Sequence, residues 1–365
     1  WCVTRHEDIA TISRNPDTYS SAQGITITDT PPEFLEFFSS MIAMDDPRHA
    51  RLRRIVSKGF TPRMLAALED SVQSVAVGIV DEIAERGQCD FVTDVAAALP
   101  LKIVCDLMGV PDSAYEMVFK NTNIILGVGD PEFAPEGVDF VTALLNAGAE
   151  LAELMNEVAE AKKGGDGVDL TSVLVNAELE GDHLDQADLA SFFVLLVVAG
   201  NETTRNAISW GLKYLTDHPD QRAIWANDFE GIAPTAIDEI IRLASPVSYM
   251  RRTVTQDTIL AGHELSEGDK VAMFYLAANR DPAVFDDPYH FDVQRSPNSQ
   301  CGFGGPGPHF CLGAHLARRE ITVMFRELFE RLPDITAVGE PDPLQSSFIH
   351  GVKHLEAEFT PVRAG

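Results

Sequence analysis

Residues 186–216 carry the longest continuous helical pattern in the sequence, and residues 191–199 within it are apolar all round. A helix with no polar face has to be buried through the middle of a protein. The remainder of the chain must therefore be able to pack around it, which points to a mainly helical class. Apolar residues three and four apart predict further helices over 62–85, 99–108, 138–162, 233–243 and 314–329. Stops are legible at Gly109-Val110-Pro111, Lys162-Lys163-Gly164-Gly165 and His218-Pro219. Strand-like segments are short and mostly late, at 253–260, 270–275 and 354–359. No linker divides the pattern, so a single domain over 1–365 is expected, mainly α with small β-sheets.

Charge removes some functions from consideration. Lys and Arg number 28 against 56 Asp and Glu, a net charge of −28. Such a field repels nucleic-acid phosphates and anionic lipid, so no nucleic-acid partner is expected. The apolar run 192–199 falls far short of the roughly 20 residues that cross a bilayer, so no membrane span is expected. Cys2, Cys89, Cys105, Cys301 and Cys311 are odd in number and unevenly spaced. They make no disulfide framework and suit a reducing cytoplasm. Trp1-Cys2-Val3-Thr4 runs straight into patterned sequence, as in a chain that begins inside a domain.

Into the apolar helix the sequence sets Ala199-Gly200-Asn201-Glu202-Thr203-Thr204. Gly200 costs about 1 kcal/mol of helix propensity, and a buried Glu202 is expensive without a partner. Thr203 can turn its hydroxyl to a carbonyl one turn back. Two readings follow: a cavity with a proton path, or a helix passing from core to surface with Glu202 in solvent.

The most informative stretch is Phe303-Gly304-Gly305-Pro306-Gly307-Pro308-His309-Phe310-Cys311-Leu312-Gly313, which leads into the helix 314–329. Cys311 stands where a stiff loop enters a helix N-terminus, and free N–H groups there lower a thiol pKa. Glycines permit close approach to a flat partner and prolines stiffen the loop. A thiolate held against a planar surface is what a haem iron ligand requires. Three plainer readings stand beside it: a small buried apolar side chain, part of a zinc site with Cys301 and His309, or a Cys301–Cys311 disulfide.

On Phe303, Gly307, Cys311 and Gly313 this stretch resembles the haem-binding loop of the cytochrome P450 family, Phe-x-x-Gly-x-x-x-Cys-x-Gly. Ala199–Thr204 resembles the same family's oxygen-activating motif. The resemblance runs through the whole chain and implies a triangular fold with the long central helix over the haem. It places one further helix and strand ahead of Trp1. It implies haem b (iron protoporphyrin IX) with Cys311 as the axial ligand, and His49, Arg53, Arg252 and His309 as partners of its propionates. Thr203 would hydrogen-bond the dioxygen and Glu202 would relay protons. Glu239, Arg242 and Arg295 match a structural triad.

The basic residues Arg48, Arg51, Arg54, Lys58, Arg63, Arg318 and Arg319 would face an acidic ferredoxin, itself served by a ferredoxin reductase. Segments 121–133, 201–206 and 347–351 look like bacterial members that hydroxylate sterol side chains, methyl-branched lipids or terpenoids. The expected pocket is apolar, with Leu195, Val198, Ala199, Ser248, Met250 and Phe348. The activity implied is hydroxylation of a C–H bond with O2 and two supplied electrons. The alternatives are a peroxide-driven haem-thiolate oxidation and a haem-binding protein without turnover.

Overall fold

The computed structural model describes residues 1–29, 40–60, 68–127, 129–135, 137–167, 169–177 and 184–363. Besides short 3₁₀ and π turns, its elements in chain order are β1 (Cys2–Val3), α1 (His6–Arg14), β2 (Tyr19–Ser20), α2 (Arg48–Val56), α3 (Glu69–Ile83), β3 (Gln88–Asp90), α4 (Ala98–Met108), α5 (Tyr115–Leu126), α6 (Phe140–Lys162) and α7 (Leu170–Val175). There follow α8 (Gln186–Asp217), α9 (Pro219–Asn227), α10 (Phe229–Ala244), β4 (Tyr249–Val254), β5 (Thr258–Leu260), β6 (His263–Leu265), β7 (Lys270–Phe274), α11 (Tyr275–Ala278), α12 (Ala314–Arg331), β8 (Thr336–Ala337), β9 (Asp342–Pro343), β10 (Val352–His354) and β11 (Glu356–Glu358).

The central helix is α8. Its N-terminus is capped by Asp185, which accepts the Asp188 N–H at 2.7 Å, and Pro219 follows its last turn. Helices α4, α6, α10 and α12 pack on its flanks. Two glycines set the approach distances. A Cβ at Gly200 would stand 2.9 Å from the Val104 side chain of α4, and one at Gly211 would stand 2.7 Å from Phe325 of α12. The helix-propensity cost of Gly200 is thus offset by close packing. By length and composition the 32 residues of α8 could cross a membrane, contrary to the reading of its apolar run as too short. The buried positions Phe193, Val197, Ile208 and Leu212 make it the core helix instead.

Strands form a four-stranded sheet in the order β1-β7-β4-β2, a three-stranded one in the order β3-β11-β8, and two pairs, β10-β9 and β5-β6. In the first, β4 runs antiparallel to β7 with Met250 opposite Met273 and Arg252 opposite Val271. The two-residue period sends Arg251 to one face, where it meets Asp29 at 2.9 Å. Met250 and Arg252 go to the other, which faces the main cavity.

Elsewhere a tie joins the connection after α5 to the C-terminal strands. Asp130 accepts the Gln345 N–H at 3.0 Å. The His354 ring lies between Asp90 and Glu132, with the Glu132 carboxylate 2.8 Å from Nε2.

Candidate active site

Beneath α8 lies a cavity enclosing about 1590 Å³ of space between atoms, its mouth included. Phe192, Leu195, Leu196, Ala199, Thr203 and Ala207 reach it from one side of α8, at the three- and four-residue spacing of one helix face. Met41, Ile42, Phe60, Val104 and Met250 continue the apolar wall, and the Cys311 loop with the start of α12 closes the far side. Of the expected pocket residues, Leu195, Ala199 and Met250 are on this wall. Three are not. Val198 turns away to pack on the helical core. Ser248 is buried with its N–H on the Phe348 carbonyl (2.8 Å) and its carbonyl on the Tyr275 N–H (3.0 Å). Phe348 stands edge-on to the Tyr249 ring, 5.5 Å between centroids.

The cysteine loop is shaped by its backbone. The Cys311 N–H donates to the Phe303 carbonyl at 2.9 Å, and the Gly304 N–H to the Cys301 carbonyl at 2.9 Å. Phe303 precedes Gly307 by four residues, one more than the family pattern, and Gly304 at φ 86° takes up the turn. Gly307 has no room for a Cβ, because the loop lies directly on the Ser13 carbonyl at the end of α1. Gly313 N-caps α12 and lines the cavity. Phe303 is held beneath the Arg318 guanidinium, 4.4 Å from the ring centroid.

Cys311 opens on the cavity. Burial pushes its thiol above the ordinary value, while the Gly313 N–H, Arg53 and Arg318 pull the other way. The lowering expected from the helix start is therefore outweighed by burial; a metal charge on the sulfur reverses that balance. Cys301 and Cys311 are both free thiols. Cys301 is buried and bonded to Asn279, through its N–H at 2.8 Å and its Sγ at 3.2 Å. Among the described residues the one group of side chains spaced to hold a metal ion is Glu132, Asp342 and His354, none of them in this loop.

His49, Arg53, Arg252 and His309 all line the cavity. His49 and Arg53 are one turn apart on α2, and the His49 ring lies against His309 at 4.2 Å between centroids. The His309 ring nitrogen Nε2 is 3.2 Å from the Ser21 hydroxyl. Arg53 donates to the Phe310 carbonyl, and the buried Arg252 donates to the Arg251 carbonyl at 2.8 Å. Burial, with Arg252, His49 and Arg53 close by, pushes His309 down to about 3, and burial lowers His49 as well. The His49 Nε2 is buried with no partner. Two guanidinium groups and two imidazoles thus converge on one edge of the cavity, where Asp46 lies 3.5 Å from the His49 Nδ1, a concentration of donors that an anion in the cavity would satisfy. A planar group with carboxylates at this edge and a metal at Cys311 satisfies both ends, so the residues fit a haem.

Thr203 is on the wall and donates its hydroxyl to the Ala199 carbonyl at 2.7 Å. Glu202 is neither solvated nor aimed at the cavity. It is 1% exposed and bound to Arg205 at 2.6 Å, and Arg205 reaches Asn123 of α5 at 3.0 Å. Burial raises its pKa against the pull of Arg205. Sequence reasoning missed another acid on the wall, Glu320 of α12. It is 2% exposed, and burial pushes it up to about 8 against a hydrogen bond with Thr204. The signal was available: Leu316, Glu320, Val323, Met324 and Glu327 form one buried stripe on α12, and two members are acids.

Glu239, Arg242 and Arg295 come together deep in the protein. Glu239 and Arg242 are 0% exposed and pair through two bonds of 2.7 and 2.8 Å, which excludes a solvated surface pair. Arg295 adds bonds of 3.1 Å to both carboxylate oxygens. Arg242 also donates to the Asn279 carbonyl at 2.7 Å, so the triad reaches the cysteine loop through Asn279 and Cys301. The expected basic face is weaker than its composition. Arg48 pairs with Asp188 at 3.0 Å, Arg318 with Asp238 at 2.8 Å and Arg319 with Glu69. Arg51 and Arg54 are exposed, while Arg63 and the Lys58 side chain lie outside the described residues.

A family model described as Cytochrome P450 matches residues 232–347. The methyl-branched lipid omega-hydroxylase of Mycobacterium tuberculosis (strain ATCC 25618 / H37Rv) is 49% identical over 363 residues, covering 99% of this chain and 84% of that protein. The steroid C26-monooxygenase of Mycolicibacterium smegmatis is 36% identical over 365 residues, covering 99% and 83%. A Mycobacterium marinum cytochrome P450 solved in complex with pseudoionone superposes with a TM-score of 0.94 at 42% identity, over 98% of this chain and 86% of that one.

Proposed function

The chain belongs to the cytochrome P450 family of monooxygenases, and from that premise we propose that it hydroxylates a C–H bond of an apolar lipid, with methyl-branched lipids ahead of sterols and terpenoids. Dioxygen is the co-substrate, and two electrons come from a ferredoxin and its reductase. Haem b is the cofactor. Cys311 holds its iron, His49, Arg53, Arg252 and His309 hold its propionates, and Phe303, Gly307 and Gly313 shape the loop. Bound there, the haem supplies activation of dioxygen and insertion of one oxygen atom into the C–H bond.

The chain's own residues do the rest. Phe192, Leu195, Leu196, Ala199 and Met250 exclude water and hold an alkyl group by apolar contact alone. Thr203 presents its hydroxyl oxygen to the cavity, its proton being engaged with Ala199. Glu202 serves as an acid behind Thr203, and it reaches the cavity only by turning away from Arg205. The preference for a methyl-branched lipid rests on the hydroxylase that shares 49% identity.

The observation that carries the reading is one cavity with Cys311 at its floor, His49, Arg53, Arg252 and His309 converging at its edge and an apolar roof. The test is the absorption spectrum of the reduced protein with carbon monoxide. A strongly red-shifted Soret band supports it, and haem-free protein from haem-replete cells refutes it. Turnover of a methyl-branched fatty alcohol beside a sterol, with a surrogate ferredoxin, then ranks the substrate classes. A sterol turned over faster would overturn that order.

A further inference from the structure

Among residues 241–250, Val247 and Met250 are the ones left half-buried, and both open on the cavity. The backbone that carries them is held from behind by the turn between β9 and β10. Val247 forms an antiparallel bridge with Ile349. The Ser248 N–H donates to the Phe348 carbonyl at 2.8 Å, and the His350 N–H to the Pro246 carbonyl at 2.9 Å. Ser248 and Phe348, both expected in the pocket, thus stand one layer behind its wall.

The turn is fixed at two points. Within it, the Ser346 hydroxyl oxygen accepts the N–H groups of Phe348 at 3.2 Å and Ile349 at 3.1 Å, a local serine turn. From outside, the anchor is Asp130 in the connection after α5. One carboxylate oxygen accepts the Gln345 N–H at 3.0 Å. The other accepts the Glu132 N–H at 3.0 Å and is 3.4 Å from the Lys353 ammonium of β10. The Asp130 side chain is 0% exposed. A buried carboxylate is tolerated only with such partners, and its bonds to N–H groups are stronger than those between neutral groups.

We propose that Asp130, outside the cavity, is a specificity-determining positioning residue: it fixes the turn after β9, the turn fixes the backbone of Val247 and Met250, and these two side chains set which carbon of an alkyl chain is presented for oxidation. The proposal rests on the monooxygenase reading above. An apolar wall steers an alkyl chain by shape alone, so a displacement of about 1 Å in that wall is enough to change which C–H bond is well placed.

Three variants of the haem-loaded enzyme test it, with a methyl-branched fatty alcohol as substrate and its hydroxylated products separated by gas chromatography. Asp130→Asn keeps the shape but sets an amide NH2 against one of the two N–H groups. Ser346→Ala frees the turn from inside. His354→Gln loosens the same corner, by releasing Asp90 and Glu132, and leaves the bonds of Asp130 and Ser346 in place. Asp130→Asn and Ser346→Ala should keep the carbon monoxide spectrum and the summed turnover rate. Both should raise KM several-fold and shift the ratio of end-of-chain to inner hydroxylation several-fold, in the same direction. His354→Gln should keep the wild-type ratio. A wild-type ratio in Asp130→Asn overturns the proposal, as does an equal shift in His354→Gln, which would mark general loosening. Should Asp130→Asn fail to fold, a wild-type ratio in Ser346→Ala overturns it alone. Protein without the thiolate spectrum fails the parent reading instead. A fluorescent polyene fatty acid then reads the cavity by binding alone, and equal affinity in the wild type, Asp130→Asn and Ser346→Ala overturns the positioning as well.

Discussion

Because the Thr203 hydroxyl donates to the Ala199 carbonyl at 2.7 Å, it offers the cavity lone pairs before it offers a proton. Thr203→Ala should leave the haem spectrum unchanged and lower product per electron pair on the order of tenfold, the balance appearing as peroxide. That is below the ~100-fold at which general acid–base groups begin to count, because water can stand in for a lost hydroxyl. Unchanged coupling would remove Thr203 from the chemistry. Cys311→Ala should abolish the red-shifted band; a retained band would place the ligand elsewhere. Spacing alone left these residues with plainer readings, and the family resemblance singled them out: a cysteine at a helix start, a threonine one turn from a carbonyl, a histidine and arginine four apart. For Glu202 the sequence left both burial and direction open. Each helical residue turns by about 100°, so its neighbour Thr203 faces the cavity while Glu202 faces Arg205. Val198, Ser248 and Phe348 failed for a related reason, since nearness in sequence to a wall residue is not membership of the wall.

At the scale of elements, the buried Glu239–Arg242–Arg295 cluster ties α10 to the segment that carries the cysteine loop. Glu239→Gln would leave two guanidinium groups deep in the protein without their carboxylate. The expected cost is about 3–5 kcal/mol, the range for removing one partner of a buried ion pair. Urea denaturation measures it, and a loss under about 1 kcal/mol would mark the cluster as a surface-like pair. The long helices were readable from their apolar period, and α4, α6, α8, α10 and α12 begin and end close to expectation. The helix expected over 62–85 is described as α3 from Glu69, its earlier residues lying outside the described part. Strand β4 was the harder case. It begins at Tyr249 and stops at Val254, whereas sequence put one strand over 253–260. Two successive arginines conceal a strand whose faces are both covered, one by Asp29 and one by the cavity, and neither partner is near in sequence.

For the molecule as a whole, a charge of −28 leaves few cations to tie distant parts together, which gives weight to His354 between Asp90 and Glu132. Asp90 first, with Glu132, holds its pKa above the ordinary 6.5. A raised folded value means that its stabilisation is complete below about 6.5 and is lost as the pH climbs through the folded pKa. The melting temperature of the wild type should fall over that interval relative to His354→Gln, by an amount moderated by solvent, since the ring is 43% exposed. Parallel curves for the two proteins would show that the tie carries nothing. The cavity has a consequence at the same scale. Its wall is drawn from Ser13 to Ile321, so no fragment of the chain can assemble it, and whatever occupies it can recognise only the finished fold. Occupancy then acts as a clamp on the native ensemble, adding RT ln(1 + [L]/Kd) to the free energy of unfolding. A preparation with partial cofactor content should melt as two populations, and the size of the upper one reports how full the cavities are.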